Sequence, residues 1–282
     1  MQRLQIDELL RRALDEDLGA GDLTTDAVVP AEARAEAHLL AKEDGVVAGV
    51  PIFLRVFELL DVACQVDALC DDGTRVQSGQ LVARVRGLAR AILSGERTAL
   101  NLVQRLSGVA TAAAQAVSAV GSKTLILDTR KTTPGLRALE KYAVRIGGAR
   151  NHRIGLYDAV MIKNNHLKFA APAEAIRRAR RSAPATATVE IEVETLEQLR
   201  EALEERPDII LLDNMSNDLI REAVDLVAGR ARLEVSGNVT TERLPQLAAL
   251  GVDYVSMGAL THSARALDFS LRVSALPEGP VV

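Results

Sequence analysis

Arg130 and Lys131 close an apolar run, Leu125-Ile126-Leu127, and precede a Thr132-Thr133-Pro134-Gly135 turn. Arginine offers a planar fork matched to carboxylate or phosphate, and lysine adds a point charge. His152 and Arg153 follow Gly147-Gly148-Ala149-Arg150-Asn151, where paired glycines allow close backbone approach to a ligand. Lys163 closes a second apolar run, Ala159-Val160-Met161-Ile162. A lysine ending a buried strand reads as an anion clamp or as a Schiff-base amine. All five lie within residues 121–168, which hold ten Lys and Arg against three acids, a net charge of +7. The whole chain carries −4, so the remainder sums to −11. Crowded like charge does not stabilise a fold, so this block points to a polyanionic ligand.

An acidic set follows. Glu190, Glu192 and Glu194 alternate with Val189, Ile191 and Val193, so a strand places all three on one face. That face is either a barrel mouth, where carboxylates meet a cation, a metal or a sugar hydroxyl, or a solvated edge. Asp213-Asn214 ends the run Ile209-Ile210-Leu211-Leu212. Ser236-Gly237-Asn238 and Gly258-Ala259-Leu260 end two later runs, and small residues there free backbone N–H groups for phosphate. Arg97, in Glu96-Arg97-Thr98, reads by itself as an ordinary helix-surface charge. Cationic, acidic and small-residue parts together suit a substrate with carboxylates plus a Mg²⁺-bound sugar phosphate.

The elements that must position these groups alternate in the last two-thirds of the chain. Apolar strands are expected at 124–129, 159–163, 188–193, 208–213, 232–236 and 253–257. Amphipathic helices are expected at 173–181, 196–205, 217–227 and 242–250, with Thr195 and Thr240-Thr241 as starts. Continuous apolar strands between helices imply a parallel sheet. Polar residues at successive strand ends favour a β/α barrel, whose ligands sit at that rim. Six units rather than eight make the barrel incomplete, and a doubly wound sheet is the structural alternative. The first third differs: helices at 6–14 and 51–60, strands at 35–41, 63–69 and 80–85, and a turn at Asp71-Asp72-Gly73. An Ala-rich helical stretch, 88–120, is expected to break near Gly108.

The totals describe a soluble globular protein of 282 residues, 48% hydrophobic and 26% charged. No apolar run approaches the roughly 20 residues of a membrane span. The first residues lack an apolar signal core, which gives a cytoplasmic reading. Aromatics are 2%, Trp is absent and the charge is negative, which argues against a nucleic-acid partner. Cys64 and Cys70 make neither a disulfide framework nor a metal set, and read as reduced residues packing on one strand face.

The motifs resemble one family closely. GERTALNLVQRLSGVAT (95–111), LDTRKTTPGLRALEKYAV (127–144), NHRIGLYDAVMIKNNH (151–166), VEIEVETLEQL (189–199), IILLDNM (209–215), EVSGNVT (234–240) and VSMGALTHSARALDFSL (255–271) are similar, in order, to the quinolinate phosphoribosyltransferases. EDLGAGDLTTD (16–26) precedes them. The resemblance implies an α/β fold: an N-terminal α/β-sandwich domain, residues 1–108 joined by 265–282, and an incomplete β/α barrel, residues 109–264. It implies transfer of phosphoribosyl from phosphoribosyl pyrophosphate to quinolinate with loss of CO₂. It further implies Mg²⁺, no organic cofactor, and a homodimer in which the helix bearing Arg97 reaches the partner's barrel. Arg97, Arg130, His152, Arg153 and Lys163 correspond to the quinolinate pocket. Lys131, Glu192 and Asp213 correspond to the catalytic groups around ribose, pyrophosphate and metal, and Ser236, Gly237, Gly258 and His262 to the ribose-phosphate end. Asn164 stands where the family usually has Asp, and Ala149 and Asn238 where it usually has Gly. The alternatives are a non-catalytic or molybdenum-uptake-linked relative that binds an anionic metabolite, and a Schiff-base lyase using Lys163. The molybdenum-linked branch departs from the IK-x-NH pattern that this chain keeps.

Overall fold

The computed structural model describes residues 3–277, with side chains from residue 6. The outermost residues of the expected N-terminal domain, 1–2 and 278–282, lie outside that range. The chain forms two compact units. The first comprises Met1–Ala112, Ala138–Gly147 and Ala264–Val282; the second comprises Ala113–Arg137 and Gly148–Ser263.

The first unit is built on a four-stranded antiparallel sheet. Its spatial order is Phe269–Ala275, Arg34–Ala41, Leu81–Leu88, Gln65–Ala68. Arg34–Ala41 buries Ala35, Ala37, Leu39 and Ala41 on one face, as its alternation requires. Helix Val50–Leu60 contacts this sheet and buries Ile52, Phe53, Val56 and Phe57. Phe53 and Phe57 meet edge to face, with centroids 5.1 Å apart, worth about 0.5–1.5 kcal/mol beyond their burial. The expected Asp71-Asp72-Gly73 turn has a second use. Asp72 accepts hydrogen bonds from the backbone N–H groups of Gly49 and Val50 at 2.8 and 2.9 Å, and so caps this helix from afar.

Two expectations for this region fail. The stretch around Gly108 does not break: Ala89–Val120 is one helix of 32 residues. Gly108 answers a packing demand, because a Cβ there would lie 2.1 Å from the Arg265 carbonyl oxygen. The cysteines do not share a strand face either. Cys64 and Cys70 flank the strand Gln65–Ala68, and both are free thiols. Burial, aided by the Asp61 charge, pushes the Cys64 thiol up to about 11, which makes it a poor nucleophile near neutral pH.

The second unit holds six parallel strands, here counted first to sixth: Leu125–Leu127, Val160–Ile162, Val189–Val193, Ile209–Asp213, Arg232–Ser236 and Tyr254–Ser256. The second to the sixth pair in sequence order, and the sixth then pairs with the first. That cyclic order is a barrel with one seam. It excludes the doubly wound sheet, in which strand order reverses at a switch point. The seam lies between the first and second strands, where a single bridge joins Leu127 to Arg150. The other crossovers carry helices such as Leu196–Glu204 and Asn217–Val227, whose starts are capped by Thr195 and Ser216. At the seam the connecting helix, Arg137–Ile146, falls almost wholly in the first unit's segment Ala138–Gly147.

Candidate active site

Because the six strands are parallel, their C-terminal ends meet at one rim. A cavity of about 550 Å³ opens there. Arg130, Lys131, His152, Arg153, Lys163, Glu192, Asp213, Ser236 and Gly237 line it, all of them expected from the sequence.

The cationic wall is held under electrostatic tension. Arg130 Nε is enclosed by protein and has no hydrogen-bond partner among the described residues. Arg153 is partly buried, and its guanidinium is less basic than usual because of that burial and then because of the Arg130 charge. Arg153 also donates to the Ala159 carbonyl at 3.3 Å, which fixes its fork. Two arginines that repel each other beside an enclosed, unpaired nitrogen are relieved by an anion with two or more oxygens.

Asp128 sets the loop behind them. It is fully buried and accepts from Asn151 Nδ2 at 2.6 Å and from the His152 backbone N–H at 2.9 Å. His152 Nδ1 accepts from the Arg153 backbone N–H at 2.7 Å. That bond leaves Nε2 to carry the ring proton, 2.9 Å from Glu190 Oε2 and 3.6 Å from Glu234 Oε2.

The acidic wall comes from the third and fourth strands. All five residues of Val189–Val193 are buried, so the reading of a solvated edge strand is wrong for this segment. Glu190 and Glu192 face the interior, whereas Glu194 lies past the strand end and is exposed. Glu192 receives Lys163 Nζ at 2.6 Å. Lys163 is not the buried amine that its position suggested, since its side chain is 43% exposed and ion-paired. Nucleophilic lysines are desolvated among apolar groups, so this geometry disfavours the Schiff-base reading and favours a clamp. Asp213 accepts from Asn214 Nδ2 at 3.0 Å and keeps oxygen capacity toward the cavity. Glu192 and Asp213 are hard oxygen donors without a nearby thiol, a donor set that fits Mg²⁺.

The late loops are shaped by small residues. Gly237 has φ +91°, and a Cβ there would lie 2.4 Å from the Asn214 side chain. Asn238 has φ +48°, a conformation that asparagine tolerates, so this departure from the usual glycine keeps the turn. Gly258 and His262 do not line the cavity themselves. A Cβ on Gly258 would come within 2.9 Å of Lys131 Cδ and 3.0 Å of His262 Nε2, so this glycine makes room for both side chains. Arg97 is exposed on the first unit's long helix and is not among the lining residues. The other departures also fit locally: Ala149 is buried, and Asn164 Nδ2 donates to Glu194 Oε1 at 2.5 Å.

Several lining residues escaped sequence reasoning, namely Thr129, Met161, Ser256 and above all Glu234. Glu234 is fully buried. Its only signal was an acid inside the apolar run Leu233-Glu234-Val235. The cationic block also proves composite. Arg130, Lys131, Arg153 and Lys163 reach the cavity, but Lys141 is buried in the first unit's helix and Arg137 braces Thr132 and the Ile154 carbonyl.

Comparison with known proteins identifies the family. Residues 22–107 match the N-terminal domain model of quinolinate phosphoribosyl transferase, and residues 109–272 match its C-terminal domain model. A probable carboxylating nicotinate-nucleotide pyrophosphorylase from Bacillus subtilis is 45% identical over 276 residues, covering 97% of this chain and 95% of its own. The carboxylating nicotinate-nucleotide pyrophosphorylase of Mycobacterium leprae is 46% identical, covering 94% and 95%. The crystal structure of NadC from Streptococcus pyogenes superposes with a TM-score of 0.94 at 45% identity, over 98% of this chain and 99% of its own. With a family model on each part of the chain and relatives matched over nearly its whole length, this protein belongs to the quinolinate phosphoribosyltransferase family.

Proposed function

We propose that the protein transfers phosphoribosyl from phosphoribosyl pyrophosphate to quinolinate, releasing pyrophosphate and CO₂ and forming nicotinate mononucleotide for NAD biosynthesis. One observation carries this reading: a single cavity sets a wall of Arg130, Arg153 and Lys163 against a wall bearing Glu192 and Asp213. A pyridine dicarboxylate satisfies the first wall, and a sugar whose anomeric carbon turns cationic satisfies the second.

Arg130 and Arg153 grip the quinolinate carboxylates and hold the ring nitrogen toward the sugar, which lowers the entropic part of the barrier. Breaking the sugar–pyrophosphate bond develops positive charge at the anomeric carbon, and the Glu192 and Asp213 carboxylates stabilise it. Mg²⁺ bound through the pyrophosphate would neutralise the leaving group, with Glu192 and Asp213 nearby. Lys131 faces the phosphate side next to Gly258 and His262, and Ser236 and Gly237 receive the ribose phosphate. Attack by the ring nitrogen makes it a pyridinium, an electron sink that lets the adjacent carboxylate leave as CO₂.

The working enzyme is a cytoplasmic homodimer, or a dimer-based assembly, in which Arg97 from the N-terminal domain completes the partner's pocket. Its exposure on the long helix supports this. Among the described residues no helix is long and apolar enough to cross a membrane. The test is direct. Purified protein with quinolinate, phosphoribosyl pyrophosphate and Mg²⁺ should yield CO₂ and mononucleotide in equal amounts. Binding of both substrates without CO₂ release would favour the non-catalytic alternative.

A further inference from the structure

The barrel interior below the substrate cavity is polar. A second cavity, about 260 Å³, shares His152, Arg153 and Glu234 with the substrate cavity above it. It shares Thr188, Ile209 and Tyr254 with an open depression at the N-terminal ends of the strands. The barrel axis is therefore lined from rim to base, and Glu234 lies where the upper two spaces meet. Barrel cores are ordinarily filled by layers of branched apolar side chains, so two buried glutamates and a histidine on the axis need a reason.

Decarboxylation supplies one. When the C–C bond to the departing carboxylate breaks, its electron pair stays on the ring carbon beside the pyridinium nitrogen. CO₂ leaves, and that carbon must then gain a proton. The rim is occupied by nucleotide and pyrophosphate at that moment. We infer that Glu234 is the acid that delivers this proton, and that the lower cavity lets solvent water at the base of the barrel replace it. Glu234 passes its proton to the carbanion and becomes a carboxylate. A proton from water returns to it directly, or through the Nε2–H of His152 with Glu190 alongside. One solvent proton is consumed per CO₂ released. The inference rests on the proposed transfer reaction.

The surroundings suit the role. Neither Glu234 oxygen has a hydrogen bond of normal geometry among the described residues. Burial first, and then the Glu190 charge, push its carboxyl up to about 7, while His152, Ser256 and Lys163 pull it back only in part. Arg153 is the other charged group at the junction of the two cavities. An acid that titrates near 7 is matched to donating a proton at neutral pH. The donor atoms of His152, Glu190 and Glu234 lie within 4.8 Å of one another, but Arg153 bordering the same space disfavours a dication there.

The test compares Glu234→Gln and Glu234→Asp with the parent, once the parent is shown to release CO₂. A parent that releases none defeats the transfer reaction itself, not this inference. For the Gln variant, quinolinate and phosphoribosyl pyrophosphate should bind within about threefold of the parent by calorimetry. Its kcat should fall about 100-fold, the lower end expected for losing a general acid. The parent's kcat should decline on the alkaline side through a group near 7, and the Gln variant should lack that limb. The Asp variant should recover at least tenfold over Gln and shift the limb. A Gln variant with kcat within threefold of the parent, or with the alkaline limb unchanged, would overturn the inference. So would an equal loss of binding and turnover, which marks a structural role. If the Gln variant fails to fold by circular dichroism, the Asp variant decides, and an unshifted limb defeats the inference.

Discussion

A guanidinium fork can hold a carboxylate through two parallel hydrogen bonds, and an ammonium cannot. Arg130→Lys keeps the charge yet should lower kcat/KM for quinolinate by roughly 100-fold, or about 2.7 kcal/mol of transition-state stabilisation. A loss of only a few-fold would show that Arg130 is no bidentate clamp. The second prediction separates the two walls of the cavity. Glu192→Ala and Asp213→Ala should cut turnover while quinolinate binding, read by calorimetry, stays nearly unchanged. Loss of binding with normal single-turnover chemistry would contradict that division. Asn164 offers a third test. Its amide donates to Glu194, so Asn164→Asp places two carboxylates where one donor and one acceptor met. The variant should raise the KM for quinolinate several-fold, and Glu194→Gln added to it should restore most of the loss. Independent, additive effects of the two changes would break the link. Strand-end charges such as Arg130 and Lys163 were legible because they interrupt apolar runs. Glu234 was not, because one acid in a five-residue strand looks the same whether it faces water or the core. Its burial has a cost that depends on pH. Below its ordinary value of 4.5 the folded and unfolded states are both protonated there, and nothing is lost. As pH rises from 4.5 through about 7, the unfolded chain ionises first, and stability falls by about 3 kcal/mol. Glu234→Gln should therefore match the parent in urea unfolding near pH 4.5 and exceed it at pH 8. A constant gap between the two would refute this.

At the scale of elements, the six parallel strands and most of their helices could be read from apolar runs and caps. Thr195 announces its helix because an N-terminal N–H needs an acceptor, whereas Thr240, expected to do the same, makes no side-chain cap before Thr241–Arg243. Gly108 misled because glycine carries two meanings. It weakens a helix by about 1 kcal/mol relative to alanine, and it also permits close approach of another backbone. Only the fold shows the Arg265 carbonyl pressed against it. Gly108→Ala should accordingly destabilise the protein by roughly 1–3 kcal/mol in urea unfolding, although alanine is the better helix former. A neutral or stabilising result would mean that the 265–266 backbone yields easily. The seam of the barrel was legible only as a deficit of strands. The sequence does not announce that the helix following the first strand serves the other unit.

At the scale of the whole molecule, the proposed shared site predicts complementation. Arg97→Ala and Lys131→Ala chains should each be nearly inactive alone. Co-refolded, half the dimers are mixed, and each mixed dimer has one intact site and one doubly damaged site. Activity should return to roughly a quarter of the parent. No recovery, with mixed dimers shown by native mass spectrometry, would place Arg97 outside the partner's pocket. The interleaving of the two units along the chain has a consequence of a different kind, for synthesis on the ribosome. Strand Arg34–Ala41 emerges early, yet one of its two neighbours, Phe269–Ala275, emerges only after the entire barrel. Until then the nascent sheet presents a bare edge, the kind of surface that recruits chaperones or pairs with a neighbouring polysome product. Chains stalled through an added C-terminal linker, so that residue 262 but not Phe269–Ala275 has cleared the ribosome, should protect the barrel from protease while leaving residues 34–41 open to cleavage. Release of the complete chain should close that window within a single folding event.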